Sequence, residues 1–491
     1  AFRAKWLAGG KLLNTRLFFN RVARTTTLAA PQLNGTPGAP NSRYETNIGP
    51  TFLSFQHQPV IPAAGQPVTV SVTAQDPQGV SACELWWSIN SGPFSHVTMT
   101  AKGGGRFEGT IPGNTAGKII QFYVTATDSL GATAAFPAAG PDSGALFMVA
   151  DGQARPTLGH NFRLIFTPAN WALLRAVTNL MSNATLPCTL IYNEQRPYYD
   201  IRALLKGSQS GRPNDPRPSF NVKFQPDDRF RGVHPVLLLD SSGPPGTVNQ
   251  QQEILAHHML LHAGGIPGMQ PDLGWLIPPF QTNTGPAFVI PRHEDEFIET
   301  AFENGGDGTE WSFEMIYTPT TTNSAGYKLP NPQILLGVDL QDLGDDKEAY
   351  RYNYILKYHR GADNFLPVMT LAKTMELPGG PLLDAQAHLL MDLNEWLRTL
   401  AFVSLCGESD WYSFSNPHNF NLYQRPGDGR LVMLPWDIEH LYLRSSTAPL
   451  LGTAAPYWAD LAKLPGNKRR LYGHALDMIQ STFNTAYMTY W

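Results

Sequence analysis

A change in hydrophobic pattern near residue 150 constrains the fold of this chain more than any other feature. Upstream of it, the segment "PVTVSVTAQDPQG" alternates the apolar residues Val68, Val70 and Val72 with polar ones. The segments "CELWWSI", "FSHVTMTA", "GRFEGTIPG" and "IIQFYVTATDSLG" repeat this alternation, with turn residues at short spacing between them. Period-two strands at regular intervals are typical of two packed sheets, so residues 49–150 are predicted to form an all-β sandwich.

This first segment resembles the immunoglobulin-like and fibronectin type III-like modules of surface proteins. Such modules serve as spacers or binding platforms, so the resemblance implies surface or matrix proteins as possible partners. Trp86 and Trp87 are adjacent on one predicted strand. A glycan-binding face is one interpretation of the pair, and packing of at least one of them in the core is the interpretation that we favour.

Downstream of residue 153, predicted strands mix with predicted helices. "RLIFTPANWALLRAVTNL" has the pattern of a strand followed by a helix, and "PCTLIYNEQRPYYDIRALLKGSQSGRP" that of a strand pair ending in a Gly/Ser turn. "PSFNVKFQ" and "HPVLLLD" indicate further strands, and "VNQQQEILAHHMLLHAGGIPG" indicates a helix that its glycines and proline end. "LLDAQAHLLMDLNEWLRTLAFVSLCG" contains an amphipathic helix. Residues 153–491 are therefore predicted to form an α+β domain.

Residues 1–48 differ from both regions. Residues 1–24 contain six Lys or Arg residues and no acid, which favours a solvated helix from the tail of an upstream domain over a nucleic-acid-binding arm. Residues 25–48 have the composition of a linker. Because the chain stops inside a predicted helix, "NTAYMTYW", we expect it to be a fragment truncated near its C-terminus.

The composition points to an exported protein. Charged residues make up only 15% of the chain, below the roughly 25% of average globular domains, and it contains 44 glycines and 41 prolines. The expected location is extracellular or on the cell surface. A net charge of −4 offers no electrostatic basis for binding nucleic acid, and no apolar run is long enough to predict a transmembrane segment. The three cysteines allow one disulfide at most, and buried free thiols are the favoured alternative.

The segment "HNFNLYQRPGDGRLVMLPWDIEH" contains the candidate metal-binding residues. Phe420–Gln424 and Arg430–Leu434 are predicted strands, and the turn between them, 425–429, places Asn419 opposite Pro435 with Asp437 just beyond. An amide oxygen and a carboxylate on one rigid hairpin suit Mg²⁺, which prefers one or two protein oxygens plus substrate phosphates. Asp410, nine residues before Asn419, is the candidate to accept a hydroxyl proton. The alternative is that Asn and Asp only cap the hairpin.

A second group of residues could hold phosphate. The turn "LLKGSQSG" offers Lys206, Gly207 and Ser208 with few side chains to obstruct an anion. Lys223 lies mid-strand in "FNVKF", where it could reach phosphate or face solvent. Glu253 heads the next helix, where it could pair with the strand lysine or compensate the helix dipole. His258 and His262 have the spacing of helical zinc ligands, but ordinary packing is the favoured interpretation.

These segments together resemble the spore coat protein H (CotH) kinase family. The resemblance covers about 155–450 in order: the KGS turn, the "PSFNVKF" and "HPVLLL" strands, "AGGIPG", the "WLR" helix, "HNFNLY" and "PWD". It implies an atypical protein-kinase-like fold that transfers the ATP γ-phosphate to protein Ser or Thr. It implies Asp437 and Asn419 as metal ligands and Asp410 as the catalytic residue.

Two departures from the family pattern bear on activity. The position five residues before Asn419 is Phe414, so Asp410 would serve from a longer loop, and Glu439 stands where the family has a second Asp. Two functions therefore stay open. The chain is a secreted or surface kinase using ATP with Mg²⁺, Mn²⁺ or Ca²⁺, or it is a non-catalytic surface scaffold.

Overall fold

The computed structural model describes most of the chain in segments separated by short gaps. The described residues are 12–16, 22–27, 45–155, 159–176, 179–180, 182–207, 212, 218–241, 251–280, 284–291, 293, 296–313, 316–319, 332–335, 339–351, 353–415 and 417–491. Two compact units divide the chain: the first is built mainly from Val22–Ser241 and Leu273–Ala287, the second mainly from Ser242–Asp272 and Phe288–Trp491. No helix within the described ranges is both long and apolar enough to cross a membrane.

Near the N-terminus, the strands β1 (Leu12–Arg16) and β2 (Val22–Thr27) form a two-stranded sheet. The helix predicted for residues 1–24 is therefore wrong over the described residues. The sequence "VARTTT" explains part of the difference, because Val and Thr are β-branched and favour strands.

The sandwich predicted for 49–150 consists of nine strands in two antiparallel sheets. They are β3 (Thr51–Gln58), β4 (Val68–Gln75), β5 (Val80–Ile89), β6 (Phe94–Thr98), β7 (Thr100–Gly103), β8 (Arg106–Ile111), β9 (Ile119–Asp128), β10 (Thr133–Phe136) and β11 (Leu146–Met148). One sheet has the order β3-β4-β8-β7, and the other has the order β10-β9-β5-β6 with β11 beside β9. Val68, Val70 and Val72 are buried in the shared core, which confirms the period-two prediction.

The two tryptophans of β5 have different surroundings. The Trp86 ring lies between its cross-strand neighbours His96 and Tyr123, at ring-centroid distances of 4.3 and 6.1 Å. Both faces of this indole are thus in contact with protein, in a cross-strand aromatic ladder. Trp87 is partly buried and packs against the sandwich core, in line with the packing interpretation of the pair.

A closed barrel follows the sandwich. Its strands are β12 (His160–Ile165), β13 (Leu186–Tyr192), β14 (Arg196–Leu205), β15 (Phe220–Lys223), β16 (Val236–Asp240), β17 (Asp272–Ile277) and β18 (Gly285–Pro291), and the predicted helix after β12 is α1 (Pro168–Arg175). The order around the barrel is β12-β13-β14-β15-β16-β18-β17, closed by a parallel pairing of β12 with β17.

The first unit contains both the sandwich and most of this barrel, and a small apolar cluster joins them. Ile119, Leu146 and Met148 of the sandwich pack with Ile165 and Ile191 of the barrel. The domain boundary proposed near residue 150 stays a prediction, because these contacts cross it.

The described part of the second unit combines a four-stranded sheet and a two-stranded sheet, β20-β21, with helices. Its strands are β19 (Thr309–Phe313), β20 (Ile316–Pro319), β21 (Pro332–Leu335), β22 (Tyr354–Tyr358), β23 (Phe420–Gln424) and β24 (Leu431–Pro435). Its helices are α2 (Gln251–His262), α3 (Glu296–Ala301), α4 (Lys347–Tyr350), α5 (Leu366–Met375), α6 (Pro381–Leu390), α7 (Leu393–Leu405), α8 (Pro456–Ala462), α9 (Pro465–Ser481) and α10 (Thr485–Tyr490). The sheet order is β22-β19-β23-β24, and the core contains four fully buried tryptophans, Trp311, Trp396, Trp411 and Trp458.

The amphipathic segment that we predicted to contain one helix holds two, α6 and α7. They are separated at Met391 and Asp392, because the Asp392 side chain caps α7 by accepting a hydrogen bond from the Glu395 N–H. The Asp392 N–H donates to the carbonyl of Leu431, and the Trp396 indole N–H donates to the same oxygen. Helix α7 is thereby fixed against the start of β24, and its C-terminal end leads into the loop that carries Asp410.

Candidate functional site

The hairpin of β23 and β24 is the scaffold of the candidate site. Its register pairs Phe420 with Pro435, and its turn is closed by a hydrogen bond from the Arg425 N–H to the carbonyl of Arg430. The predicted register was wrong by one residue, because the turn includes Arg430 and β24 begins one residue later than predicted. Asn419 consequently faces Trp436, whose N–H donates to its carbonyl at 3.2 Å.

Asn419 and Asp437 flank the same end of this hairpin. Both have left-handed backbone conformations, with φ of 65° and 53°. Asn and Asp tolerate this region better than other non-glycine residues, so the residue types fit the two bends. The bends end the two strands and bring both residues to one end of the hairpin.

Asn419 is in direct contact with the loop that carries Asp410. Its side-chain Nδ2 donates a hydrogen bond of 2.6 Å to the backbone carbonyl of Asp410. Because the nitrogen end of the amide is used on this carbonyl, the oxygen Oδ1 is the end that can face a cation. The structure thus brings together two of the three predicted residues, Asp410 and Asn419.

Backbone hydrogen bonds join the same loop to the segment after β24. The Ser409 N–H donates to the carbonyl of His440 at 3.1 Å, and the Tyr442 N–H donates to the carbonyl of Cys406 at 2.7 Å. The stretch that contains Asp437 and Glu439 therefore runs alongside the stretch that contains Asp410. This pairing joins parts of the chain about thirty residues apart, which no local pattern predicts.

Asp437 and Glu439 form a close carboxylate pair. One carboxylate oxygen of each lies within 4.8 Å of the other, and the intervening Ile438 is fully buried. Like charges at this distance repel each other, and a divalent cation relieves the repulsion. Glu439 thus places a second carboxylate beside that of Asp437.

The Asp410 carboxylate is held in its ionised form. Its pKa is lowered to about 2, mainly by interaction with His418, against an opposing effect of burial and with further help from Ser415 and His440. The His418 Nε2 lies 3.6 Å from Oδ2, which is an ion-pair distance rather than a hydrogen bond. The Ser415 hydroxyl donates to Oδ1 at 2.7 Å. At neutral pH the group is a carboxylate that can accept a proton.

Glu408 is a site residue that sequence reasoning missed. It is fully buried, one oxygen accepts a hydrogen bond of 2.8 Å from the Asp410 N–H, and the other has no hydrogen-bond partner among the described residues. Burial raises its pKa to about 7, and the charges of Asp410 and Asp437 add to the increase. The sequence indicated a role for Glu408 only through its place in "GESD", two residues before Asp410. Its burial depends on long-range contacts, which cannot be inferred from the sequence.

The donors at this end of the hairpin are all oxygen atoms: the amide of Asn419 and the carboxylates of Asp437 and Glu439. Such a set suits the hard cations Mg²⁺, Mn²⁺ and Ca²⁺. The buried Glu408 oxygen, which has no hydrogen-bond partner among the described residues, is a further oxygen in the electrostatic neighbourhood of Asp437. The residues present therefore fit the divalent metal that the sequence predicts.

The candidate phosphate-binding residues in the first unit have different surroundings. Lys206 forms an ion pair with the buried Asp240, which also accepts a hydrogen bond of 2.8 Å from the Ser219 hydroxyl. Gly207 is exposed and has a left-handed φ of 104°, whereas Ser208 lies outside the described residues. Lys223 is exposed and lies next to the buried Val222, so the predicted alternation of the two side chains is confirmed.

Two further candidates lie on α2 in the second unit. Glu253 is buried in the first turn of the helix. The rings of His258 and His262 lie 4.3 Å apart, and the ring of Trp491 lies 4.2 Å from that of His258. His262 Nδ1 is hydrogen-bonded to the carbonyl of His258 at 2.7 Å. Aromatic packing, the favoured interpretation from the sequence, accounts for this arrangement.

Comparison with known proteins assigns no family to this chain. No protein-family model matches it, and no curated protein matches it. The resemblance to CotH kinases therefore stays a prediction from the sequence motifs.

Matches among solved structures have low scores. The crystal structure of the Br derivative of BhCBM56 matches at 16% identity and a TM-score of 0.14, over 18% of this chain and 88% of that one. The cycloalternan-forming enzyme from Listeria monocytogenes, in complex with a pentasaccharide, matches at 11% identity and a TM-score of 0.17. An uncharacterised protein of Listeria monocytogenes EGD-e, in complex with glucose, magnesium and calcium, matches at 12% and 0.16. Each of the last two matches spans 38% of this chain and 15% of the Listeria protein. TM-scores this low carry no argument about fold or function.

Proposed function

We propose that this chain is an atypical protein kinase of the CotH type, which transfers the γ-phosphate of ATP to a Ser or Thr hydroxyl of a protein. The observation that carries the proposal is the direct hydrogen bond between Asn419 and the Asp410 backbone, at the hairpin end that also carries the Asp437–Glu439 pair. A base, an amide ligand and a carboxylate ligand on adjoining segments are the parts that a phosphoryl-transfer site needs.

Asn419, Asp437 and Glu439 would hold the divalent cation. When bound, the cation supplies neutralisation of the negative charge on the phosphate oxygens. The chain's own contribution is to fix these ligands on a hairpin whose strands are buried along nearly their whole length. Positioning of this kind, together with electrostatic stabilisation, supplies most of the rate enhancement in phosphoryl transfer.

Asp410 would orient the acceptor hydroxyl and accept its proton. Its low pKa keeps it ionised, and its side chain is 42% exposed, so an incoming hydroxyl can reach it. A carboxylate with a pKa of about 2 is a weak base, so its main effect is orientation of the hydroxyl before transfer. Lys206, Gly207, Ser208, Lys223 and Glu253 stay candidate nucleotide contacts on the sequence motifs alone.

Replacement of Asp437 tests this function. Asp437→Asn removes one charge from the proposed metal site while preserving the side-chain size, so transfer of radiolabelled phosphate from ATP to an acceptor protein should fall by on the order of a hundredfold or more. The matched control is Asp460→Asn, the same change at an exposed acid of the same unit. Undiminished labelling by the Asp437→Asn variant, with native circular dichroism, would refute the assignment.

A second function has its own support. The Asp410 carboxylate is already engaged by Ser415 and His418, as in a site that no substrate enters. A non-catalytic surface scaffold would carry the same fold without turnover. Binding of ATP with Mg²⁺ is expected for a kinase and not for a scaffold, so it separates the two functions.

The sandwich is proposed to be an immunoglobulin-like module that places the chain outside the cell or on its surface. If β3 to β10 are named A to G, with β6 as the extra strand C′, the sheets have the orders A-B-E-D and G-F-C-C′. This is the arrangement of immunoglobulin-type sandwiches. The low charged fraction of the chain agrees with export, and surface or matrix proteins are the proposed partners of the module.

A further inference from the structure

The loop between α7 and β23 brings one serine hydroxyl onto the candidate base. The Ser415 Oγ donates a hydrogen bond of 2.7 Å to the Asp410 Oδ1. Both residues are partly exposed, so the pair lies where solvent and small molecules have access. A candidate general base must lie within hydrogen-bond reach of the proton that it takes, and this hydroxyl meets that criterion.

Buried aromatic residues hold the loop in the conformation that makes this contact. Trp411 and Tyr412 are fully buried in the core of the second unit. The N–H groups of Phe414 and Ser415 both donate to the carbonyl of Trp411, at 2.8 and 3.1 Å. The chain therefore turns back directly after its anchors, and Ser415 returns to Asp410.

The neighbouring serines have other surroundings. Ser413 is 1% exposed, so a bulky phosphate donor has no access to it. The Ser409 hydroxyl is hydrogen-bonded to the backbone carbonyl of His440 at 3.5 Å. Among the described serines of this loop, Ser415 combines partial exposure with a bond to the Asp410 carboxylate.

We propose that Ser415 is a phosphate acceptor of the chain itself, modified within one molecule at the site that contains Asp410. This inference rests on the proposed kinase function and names one substrate of it. The Ser415 Oγ attacks the γ-phosphorus of ATP, and a phosphate ester bond forms. The bond between the γ-phosphorus and the β–γ bridging oxygen breaks, ADP leaves, and the hydroxyl proton passes to the Asp410 carboxylate and then to solvent.

Phosphopeptide mapping by mass spectrometry tests the inference. The purified chain is analysed as isolated from its expression host, and again after incubation with ATP and Mg²⁺. Phosphate is expected on Ser415 in both samples. After ATP is added, the fraction of chains that become labelled per unit time should not depend on protein concentration, since the reaction is intramolecular. A labelled fraction per unit time that increases in proportion to protein concentration would overturn the assignment to a single molecule.

Variants make the test specific. Ser415→Ala should lose this phosphate, and Ser415→Thr, which keeps a hydroxyl, should carry it on threonine. Ser409→Ala is the matched control and should keep it on Ser415. Asp410→Asn should lower labelling of Ser415 by on the order of a hundredfold, because the amide neither orients the hydroxyl as the carboxylate does nor takes its proton. Full labelling of Ser415 in the Asp410→Asn variant would overturn the role given to that contact.

Different experimental results would refute this inference and the proposed kinase function. An added acceptor protein, dephosphorylated casein, is included in each reaction with ATP. Phosphate on the casein but none on Ser415 overturns the inference and leaves the kinase function in place. No transfer to either acceptor overturns both.

Discussion

At the scale of single residues, Glu395 and Glu408 in the second unit are buried carboxyl groups whose pKa values are raised to about 8 and about 7. Glu395 accepts hydrogen bonds from the Thr399 hydroxyl and the Met433 N–H, which tie α7 to β24. Burial nevertheless raises its pKa to about 8, because these bonds do not replace the lost hydration of the charge. The residue is therefore protonated at neutral pH.

The raised pKa of Glu395 predicts how stability depends on pH. An acid whose pKa increases on folding stabilises the protein fully below its ordinary pKa of 4.5, and this stabilisation is lost as the pH rises through about 8. The free energy of unfolding should thus fall by a few kcal/mol over this pH window, because each unit of pKa shift between the unfolded and folded protein corresponds to about 1.4 kcal/mol. Glu395→Gln, which can serve both hydrogen-bond partners without a charge, should remove much of this slope.

Urea unfolding of both proteins between pH 5.5 and pH 9 provides the measurement. Asp460→Asn, at an exposed position, is the control and should leave the slope as it is. A Glu395→Gln variant that keeps the full slope would show that Glu395 does not titrate as its surroundings require, and would assign the slope to other groups such as Glu408.

At the scale of elements, Asp392 links α7 to the hairpin turn. Its carboxylate caps the helix by accepting from the Glu395 N–H, and it also forms an ion pair of 2.9 Å with Arg425. Arg425 is at the same time paired with Asp428 in the turn. One carboxylate thereby fixes the helix end and the hairpin tip, which are the two elements that hold the candidate site in place.

Removal of this carboxylate should weaken both elements. Asp392→Ala is expected to lower the free energy of unfolding by about 1–2 kcal/mol, the sum of a lost helix cap and a partly exposed ion pair. Asp392→Asn keeps a good capping residue and loses only the ion pair, so its effect should be below about 1 kcal/mol. The midpoints of urea unfolding measure both, and equal losses in the two variants would contradict the capping role.

The elements that could be predicted from the sequence are those defined by local patterns of apolar and turn residues. The alternation of Val68, Val70 and Val72 and the turn composition of 425–429 were sufficient to predict the sandwich strands and the hairpin. The register shift by one residue came from a turn longer than predicted, and the break between α6 and α7 came from a capping aspartate inside an apolar pattern. Neither feature changes hydrophobic periodicity, which was the main signal used.

The candidate site could be predicted only in part for a related reason. Asn419 and Asp437 were found because one hairpin holds both. The contacts of Asp410 with Ser415 and His418, and the burial of Glu408, depend on how the loop after α7 folds back on the segment after β24. Pairings of this range leave no periodic signal in a single sequence.

At the scale of the whole molecule, nucleotide binding separates a kinase from a scaffold. A ligand that binds only the native state stabilises it and raises the melting temperature, by an amount that grows with the logarithm of the ligand concentration divided by Kd. ATP with Mg²⁺ at one hundred times its Kd should stabilise the chain by about 2.7 kcal/mol, a shift of a few degrees for a unit of this size. The measurement is thermal unfolding with and without millimolar ATP and Mg²⁺.

Two controls interpret this measurement. ATP with a chelator should give a smaller shift, and Asp437→Asn should lose the part that depends on the metal. The exposed Asp460→Asn should behave as the parent chain. An unchanged melting temperature at millimolar ATP and Mg²⁺ would favour the scaffold function.

The parallel pairing of β12 with β17 has a consequence for synthesis of the protein. His160 pairs with Gly274, and β17 and β18 are made after all the other barrel strands. A ribosome that has completed β16 but not β17 therefore presents β12 and β16 with open backbone edges, which are sites of aggregation. Chaperone engagement of the nascent chain should be strongest in this interval and should subside once translation passes Pro291.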